Sequence, residues 1–332
     1  MIRCNYKIFI FLFSLSFLLS CQEEEGIFVQ FENYGTSPNN HLFFNSNNPI
    51  FSEYMTFNSW KNSQGGVIYG DMLLNVLACD EEEDDADNAF MWDLKTGTKI
   101  GSFNLGHEFE GVKYYKPHAN VVCFGAEKTE KSDYPLLYVG QTYGFLYDEK
   151  DYKASGIMVY ELLNESGVYS SNIVQIIRPD VSDGILMQAM GKSIHNYVVD
   201  ADNRMLYSLG YESDQAWFDS NKDILFTSFR LPKLSDGKEV ILTNENIVDK
   251  FTIPMAYCMQ CIFYDKGILY IQTGTNMHYK WLRSFNLNTK KIESKVDFTE
   301  IGGEPQFCGY WNGKFLIYFA GDWTPLFEIQ KD

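Results

Sequence analysis

Pro305-Gln306-Phe307-Cys308-Gly309-Tyr310-Trp311, then Asn312-Gly313, then Lys314-Phe315-Leu316-Ile317-Tyr318, is the passage that decides the fold. Two short apolar runs flank an Asn-Gly pair, and both residues of that pair accept positive φ cheaply. This is the chemistry of a two-residue hairpin turn. The same order of a polar amide or histidine, a strand, a tight turn and a second strand recurs upstream. Met259 to Gly267 is followed by Ile268-Leu269-Tyr270, and Ile194 to Asn203 by Arg204 to Tyr207. His118 to Gly125 is followed, after a longer turn, by Tyr134 to Tyr138, and Ser63 to Asp71 by Met72 to Leu74. Lys266-Gly267 and Asp202-Asn203 supply further tight-turn chemistry.

A third apolar run follows each pair: Ala89–Leu94, Ile157–Leu162, Leu225–Arg230, Trp281–Asn286 and Pro325–Gln330. Four units continue into a fourth, at Lys99–Leu105, Val174–Arg178, Glu239–Thr243 and Ile292–Phe298. The last unit ends without one. After residue 26 no stretch sustains a helical period, and 16% aromatic residues, with 22 Tyr and 26 Phe, suit pleated, half-buried surfaces. The expectation is an all-β chain, a β-propeller of four-stranded blades, with five units visible and a sixth possible within residues 27–60 or 140–195. A β-sandwich pair is the architectural alternative. Radial closure hides sheet edges, and an N-terminal strand, with Ile50–Phe57 as the choice, would complete the last blade and close the ring.

The first residues speak of compartment. Arg3 and Lys7 precede an apolar run from Ile8 to Leu19, too short for a stable transmembrane helix, and the run ends Leu18-Leu19-Ser20-Cys21. This resembles a lipobox. The resemblance implies cleavage of residues 1–20 and acylation of Cys21, with the membrane as a partner through that anchor. Gln22-Glu23-Glu24-Glu25 resembles the surface-export signal of Bacteroidota lipoproteins, so an outer-membrane lipoprotein exposed at the cell surface is expected. Residues 21–48 read as lipidated cysteine, acidic tether and N-terminal segment, and 49–332 as the propeller domain.

Removing residues 1–20 takes two of the 27 Lys and Arg residues and none of the 44 acids, so the formal charge of −17 becomes −19. Such a field repels nucleic acid and anionic headgroups, and no nucleic-acid partner is expected. Cys79, Cys123, Cys258, Cys261 and Cys308 are an odd, scattered set, read as small buried hydrophobes. Cys258 and Cys261 have redox or metal spacing, but no second pair or nearby histidine completes four ligands.

The repeated units resemble the TolB-like, six-bladed β-propeller lipoproteins of the Bacteroidota, over most of residues 60–332 and by pattern alone. Many of that group have no assigned activity.

In a propeller the first strand of each blade lines the central channel, and the residues that begin those strands share one mouth. Here they are Gln64, His118, Asn120, His195, Asn196, Gln260, Glu304 and Gln306. Amides and imidazoles converging there could hydrogen-bond sugar hydroxyls or a carboxylate. Equally, they could bind channel water and backbone. A binding or interaction propeller is expected, for a glycan or a partner protein. The alternative is a carbohydrate-active hydrolase or lyase using His118 or His195 as base with Glu304. Only Glu304 supplies a carboxylate near a strand start, whereas glycosidic hydrolysis uses two. His118, His195 and Glu304 also have the residue types of a metal site, but no fixed metal and no cofactor are expected.

Seven acids fill the eight positions from Asp80 to Asp87, without the glycine of a calcium loop, and read as a solvated loop or a weak divalent-cation site. Tyr143, Tyr147, Trp217, Phe218 and Trp323 could stack on sugars or cover blade edges.

Overall fold

A computed structural model describes residues 42–43, 63–78, 86–114, 116–141, 155–191, 193–213, 216, 222–254, 258–275, 280–299, 303–320 and 326–331. The chain folds as a β-propeller of five blades. β1 (Leu42–Phe43) belongs to the last blade. Blade 1 is β2 (Ser63–Tyr69), β3 (Met72–Leu77), β4 (Ala89–Asp93) and β5 (Thr98–Phe103), in that spatial order. A small hairpin, β6 (Glu108–Phe109) and β7 (Val112–Lys113), follows. Blade 2 is β8 (Val122–Phe124), β9 (Leu137–Gln141), β10 (Gly156–Glu165) and β11 (Val168–Pro179). A short helix, α1 (Gly184–Met190), leads to blade 3: β12 (Ser193–Asp200), β13 (Met205–Tyr211), β14 (Ile224–Arg230) and, after an excursion through β15 (Glu239–Leu242), β16 (Ile247–Ile253). Blade 4 is β17 (Met259–Asp265), β18 (Ile268–Thr273), β19 (Trp281–Asn286) and β20 (Lys291–Asp297). Blade 5 is β21 (Glu304–Trp311), β22 (Lys314–Ala320) and β23 (Leu326–Lys331), with β1 added to its outer edge.

The innermost strands meet in cyclic order: β2 touches β8, β8 touches β12, β12 touches β17, β17 touches β21, and β21 touches β2. The ring is therefore complete at five, with no gap for the sixth unit that was possible within residues 27–60 or 140–195. Close backbone approach seals these boundaries. A Cβ on Gly65 would lie 2.0 Å from the carbonyl oxygen of Ala119, so only glycine lets β2 approach the segment before β8.

Ring closure comes from the N-terminal side, where Leu42 pairs with Lys331 and Phe43 with Gln330. The closing strand thus lies in the segment read as tether, while Ile50–Phe57, the segment chosen for this role, falls outside the described residues. A second correction concerns Glu239–Thr243. That run does not complete blade 3 but adds in parallel to the outer edge of blade 2, with Ile176 opposite Glu239 and Pro179 opposite Leu242. Ile247–Ile253 is the outer strand of blade 3, antiparallel to β14. Its exposed Val248, Asp249 and Lys250 hid it from an apolar-run reading, whereas Glu-Val-Ile-Leu advertises a strand without saying which sheet it joins.

The expected turns form. Lys266-Gly267 and Asn312-Gly313 have positive φ at both residues, 46° and 88° and 48° and 77°, matching the twist of their strands. In the 201–204 turn the positive φ falls on Arg204 rather than on Asp202 or Asn203. Asn203 serves instead as a donor: its N and Nδ2 reach the Asp200 carboxylate at 3.0 and 2.8 Å.

Between blades the core is aromatic. Phe226, Phe251 and Phe285 stack in series from blade 3 to blade 4, with centroids 4.3 and 5.7 Å apart. Tyr270 and Phe315 pack at 4.9 Å from blade 4 to blade 5, where the Tyr270 and Tyr310 hydroxyls meet at 2.9 Å. Offset and edge contacts of this kind add about 0.5–1.5 kcal/mol each beyond area burial.

Candidate functional site at the channel mouth

Four of the five innermost strands carry a register break near their first residues. The breaks fall between Ser63 and Gly65, Ser193 and Asn196, Met259 and Cys261, and Pro305 and Phe307. Gln64, Gln260 and Gln306 are thus the extra residue of a β-bulge in blades 1, 4 and 5, and His195 lies within the break of blade 3. A bulge releases one residue from the ladder and re-aims its side chain, which is why bulges gather next to sites. Here the released residue is a glutamine three times.

Three of the expected residues meet directly. Gln306 Nε2 donates to Gln260 Oε1 at 3.5 Å and to Glu304 Oε2 at 3.3 Å, joining blades 4 and 5 across the mouth. Asn120 and Asn196 are each 2% exposed, Gln260 6% and Gln306 0%. Gln64, His118 and Glu304 are partly buried. No hydrogen bond joins Asn120 or Asn196 to the Glu304, Gln306 and Gln260 trio, although all stand at the same end of the inner strands. The side chain of His195 lies outside the described part of the structure, as do the expected stacking residues Tyr143, Tyr147, Trp217, Phe218 and Trp323.

Three of these buried amides each keep an atom unmet. Asn120 Oδ1, Asn196 Nδ2 and Gln306 Oε1 have no hydrogen-bond partner. Each such atom costs roughly 1–3 kcal/mol until something meets it. The backbone here is also unusual: Ala119, just before Asn120, sits at φ 61°, and Cys258, two residues before Gln260, at φ 43°. Neither is a residue that tolerates the left-handed region easily, and strain of this kind collects where geometry serves a site.

His118 is held by its surroundings. Its backbone N–H donates to Gln141 Oε1 at 2.8 Å, while Gln141 Nε2 donates to Lys116 O at 3.2 Å, pinning the segment that carries both His118 and Asn120. Burial lowers the imidazole to about 4, so it is neutral at pH 7. Gln141 and Gln272 are the mouth residues that the sequence reading missed. Gln272 is fully buried, donates to Phe307 O at 3.1 Å and leaves its Oε1 unmet. Both stand at the ends of second strands, and the signal available was an amide closing an otherwise apolar run.

Further along the inner strands, thiols replace the amides. Cys123, Cys261 and Cys308 come from β8, β17 and β21, and burial pushes the first two thiols up to about 12 and the third well above its ordinary value. Cys123, Cys261 and Cys308 carry free thiols, so the Cys258–Cys261 spacing is not closed as a disulfide. Among the described residues no group of three or more His, Cys, Asp or Glu is placed to hold a metal ion. Of the acidic run, Asp80 to Asp85 falls outside the described residues.

No protein-family model and no curated protein matches the sequence. Solved structures do match in part. An exo-β-1,3-galactanase from Phanerochaete chrysosporium with β-1,3-galactotriose superposes with a TM-score of 0.48 at 10% identity, covering 88% of this chain and 64% of that one. The GH43_1 enzyme from Xanthomonas citri complexed with xylotriose gives 0.44 at 10% identity, over 85% of this chain and 89% of that one. The computationally designed Ika8 protein gives 0.36 at 7%, over 83% and 99%. Agreement at this level assigns no activity. The present chain spans under two thirds of the galactanase, and its own side chains must carry any functional reading.

Proposed function

We propose that this chain is a lipid-anchored, outward-facing propeller that binds a ligand at its channel mouth, a glycan before a partner protein. The observation that carries the reading is the set of buried amides at the inner-strand starts that each keep an atom unmet. Asn120 Oδ1 and Gln306 Oε1 are acceptors and Asn196 Nδ2 is a donor, each lacking a partner. A sugar hydroxyl both donates and accepts, so a polyol can meet such a mixed set, while a simple ion meets only one kind. Bulges and left-handed non-glycine residues at the same end fit a backbone shaped to present side chains.

Binding is favoured over hydrolysis. A neutral His118 with its imidazole near 4 is a weak general base at pH 7, where an effective base titrates close to the working pH. Among the described mouth residues Glu304 is the one carboxylate, and it already accepts from Gln306.

The test is calorimetric titration of the mature protein against a panel of neutral and acidic polysaccharides, repeated with Gln306→Met. Saturable binding lost in the variant supports the reading. Absence of binding across the panel by a folded protein counts against it. Anchoring is tested separately: Cys21→Ala should abolish the acyl mass increment and release the protein from membranes, and unchanged fractionation would remove the lipoprotein part of the proposal.

A further inference from the structure

Arg283 is 5% exposed, and burial lowers its guanidinium to about 10, so it remains charged at pH 7. A buried charge is normally answered by an opposite one, because leaving it alone forfeits most of its hydration energy. This chain has 44 acids against 27 bases, yet no carboxylate among the described residues stands beside Arg283. Its Nη1 donates to nothing. Instead the guanidinium lies 4.5 Å from the centroid of the Trp281 ring, and its polar neighbour across the blade boundary is Tyr211, whose hydroxyl accepts the Met259 N–H at 3.0 Å.

The next strand brings a second cation to the same ring. Lys295 is the register partner of Arg283, and its ammonium lies 3.2 Å from the same indole centroid. Like charges directly opposite on paired strands repel. The buried, unmet Nη1 of Arg283 is therefore the group that a bound anion would answer.

We propose that Arg283, braced by Trp281, forms an oxyanion site between blades 3 and 4, taking a carboxylate or sulfate group. Planar guanidinium matches such groups with two parallel hydrogen bonds, and the indole holds the fork in position. The site is distinct from the mouth amides. β19 is two strands outward from β17, roughly 10 Å at the usual strand spacing, and Arg283 is two residues in from the mouth end of β19.

Thermal unfolding of the whole mature protein tests this, with sodium sulfate, sodium acetate and sodium glucuronate added against sodium chloride at matched ionic strength. The expected result is a rise in Tm of the wild type by about 2–4 °C at ten times the Kd, absent in Arg283→Met. Tighter binding of glucuronate than of acetate would identify a carboxylated sugar as the source of the anion. Equal or tighter binding of sulfate would identify the inorganic ion or a sulfate ester. No shift with any oxyanion, or the same shift in Arg283→Met, overturns the site. If Arg283→Met does not fold, Arg283→Lys keeps the charge but loses the fork. At least tenfold weaker binding is then expected, and unchanged affinity overturns the proposal.

Discussion

Replacing Gln306 by methionine should make the protein more stable while abolishing ligand binding. Gln306 is fully buried, and its Nε2 makes two bonds of 3.5 and 3.3 Å, to Gln260 and Glu304. Both are longer than the usual N–H···O distance of about 2.9 Å, so each contributes at the low end, about 0.5 kcal/mol. Against that, Oε1 has no partner, at a cost of about 1–3 kcal/mol. Methionine has similar volume and flexibility and carries neither amide atom. Gln260 Oε1 and Glu304 Oε2 lose only those long contacts, so the balance is a gain of about 1 kcal/mol, or roughly 1–2 °C in Tm for a chain of this length. Gln141 is the control, being the same residue type at the same end of the sheets. Its two amide atoms are both bonded, at 2.8 and 3.2 Å, and they pin the His118 segment. Gln141→Met should therefore lose about 2–4 kcal/mol, from two hydrogen bonds and the His118 N–H and Lys116 carbonyl left unmet. Differential scanning calorimetry in ligand-free buffer measures both. An unchanged or lower midpoint for Gln306→Met would refute the reasoning, because it would mean that the amide is structurally satisfied.

Gly65→Ala forces a Cβ to 2.0 Å from Ala119 O, and since that oxygen is backbone, about 1–3 kcal/mol or more should be lost. Gly184→Ala, with nothing within 4 Å at the first residue of α1, should be neutral or gain up to about 1 kcal/mol. Urea titration of the two variants should separate them in opposite directions. His118 has its folded value lowered to about 4, so the unfolded chain binds the proton first and stability is lost as pH falls from about 6.5 to 4. His118→Gln should flatten that part of the pH–stability curve by roughly 2–3 kcal/mol, and parallel curves would show that the imidazole is not desolvated. The buried Cys261 and Cys308 thiols, both raised, should resist iodoacetamide in the native protein and react in urea, as read by mass spectrometry.

The repeated hairpins were legible because each is a local event. Asn312-Gly313 and Lys266-Gly267 commit their own φ angles, and the flanking apolar runs need only pair with their neighbours. What could not be read was which sheet a run joins. Glu239–Leu242 is strand-like in any context, and only the reach of the chain from β14 decides that it docks on β11 instead. The N-terminal closing strand was legible as a need of the ring but not as Leu42–Phe43, because two paired residues carry no periodicity. At the mouth, Gln260, Glu304 and Gln306 could be foreseen as neighbours from strand starts alone. Gln141 and Gln272 could not, because their importance lies in a partner on another strand. Arg283 lacked any signal: a basic residue inside a strand reads as exposed until packing buries it.

The two ends of the inner strands treat polarity differently, and this contrast bears most on where the ligand goes. Near its start β12 carries Asn196, whose Nδ2 is unmet, and it ends at Asp200. Burial alone would raise the Asp200 carboxyl, but donors from Asn203, Tyr264 and Tyr207 outweigh it and hold the group below the usual range. Near its start β21 carries Gln306, half-satisfied, and it ends with Trp311, whose Nε1 donates to Asp71 at 3.2 Å across the ring closure. Asp71 in turn pairs with Lys95. If sequence had merely scattered polar residues along these strands, unmet groups would fall at either end. At the turn end the carboxylates of Asp200 and Asp71 are both answered from within the fold, whereas at the bulged end Asn120, Asn196 and Gln306 each keep an amide atom unmet. A fold able to satisfy the harder, charged groups could satisfy neutral amides at less cost, so leaving them open on one side points to a partner that arrives from that side.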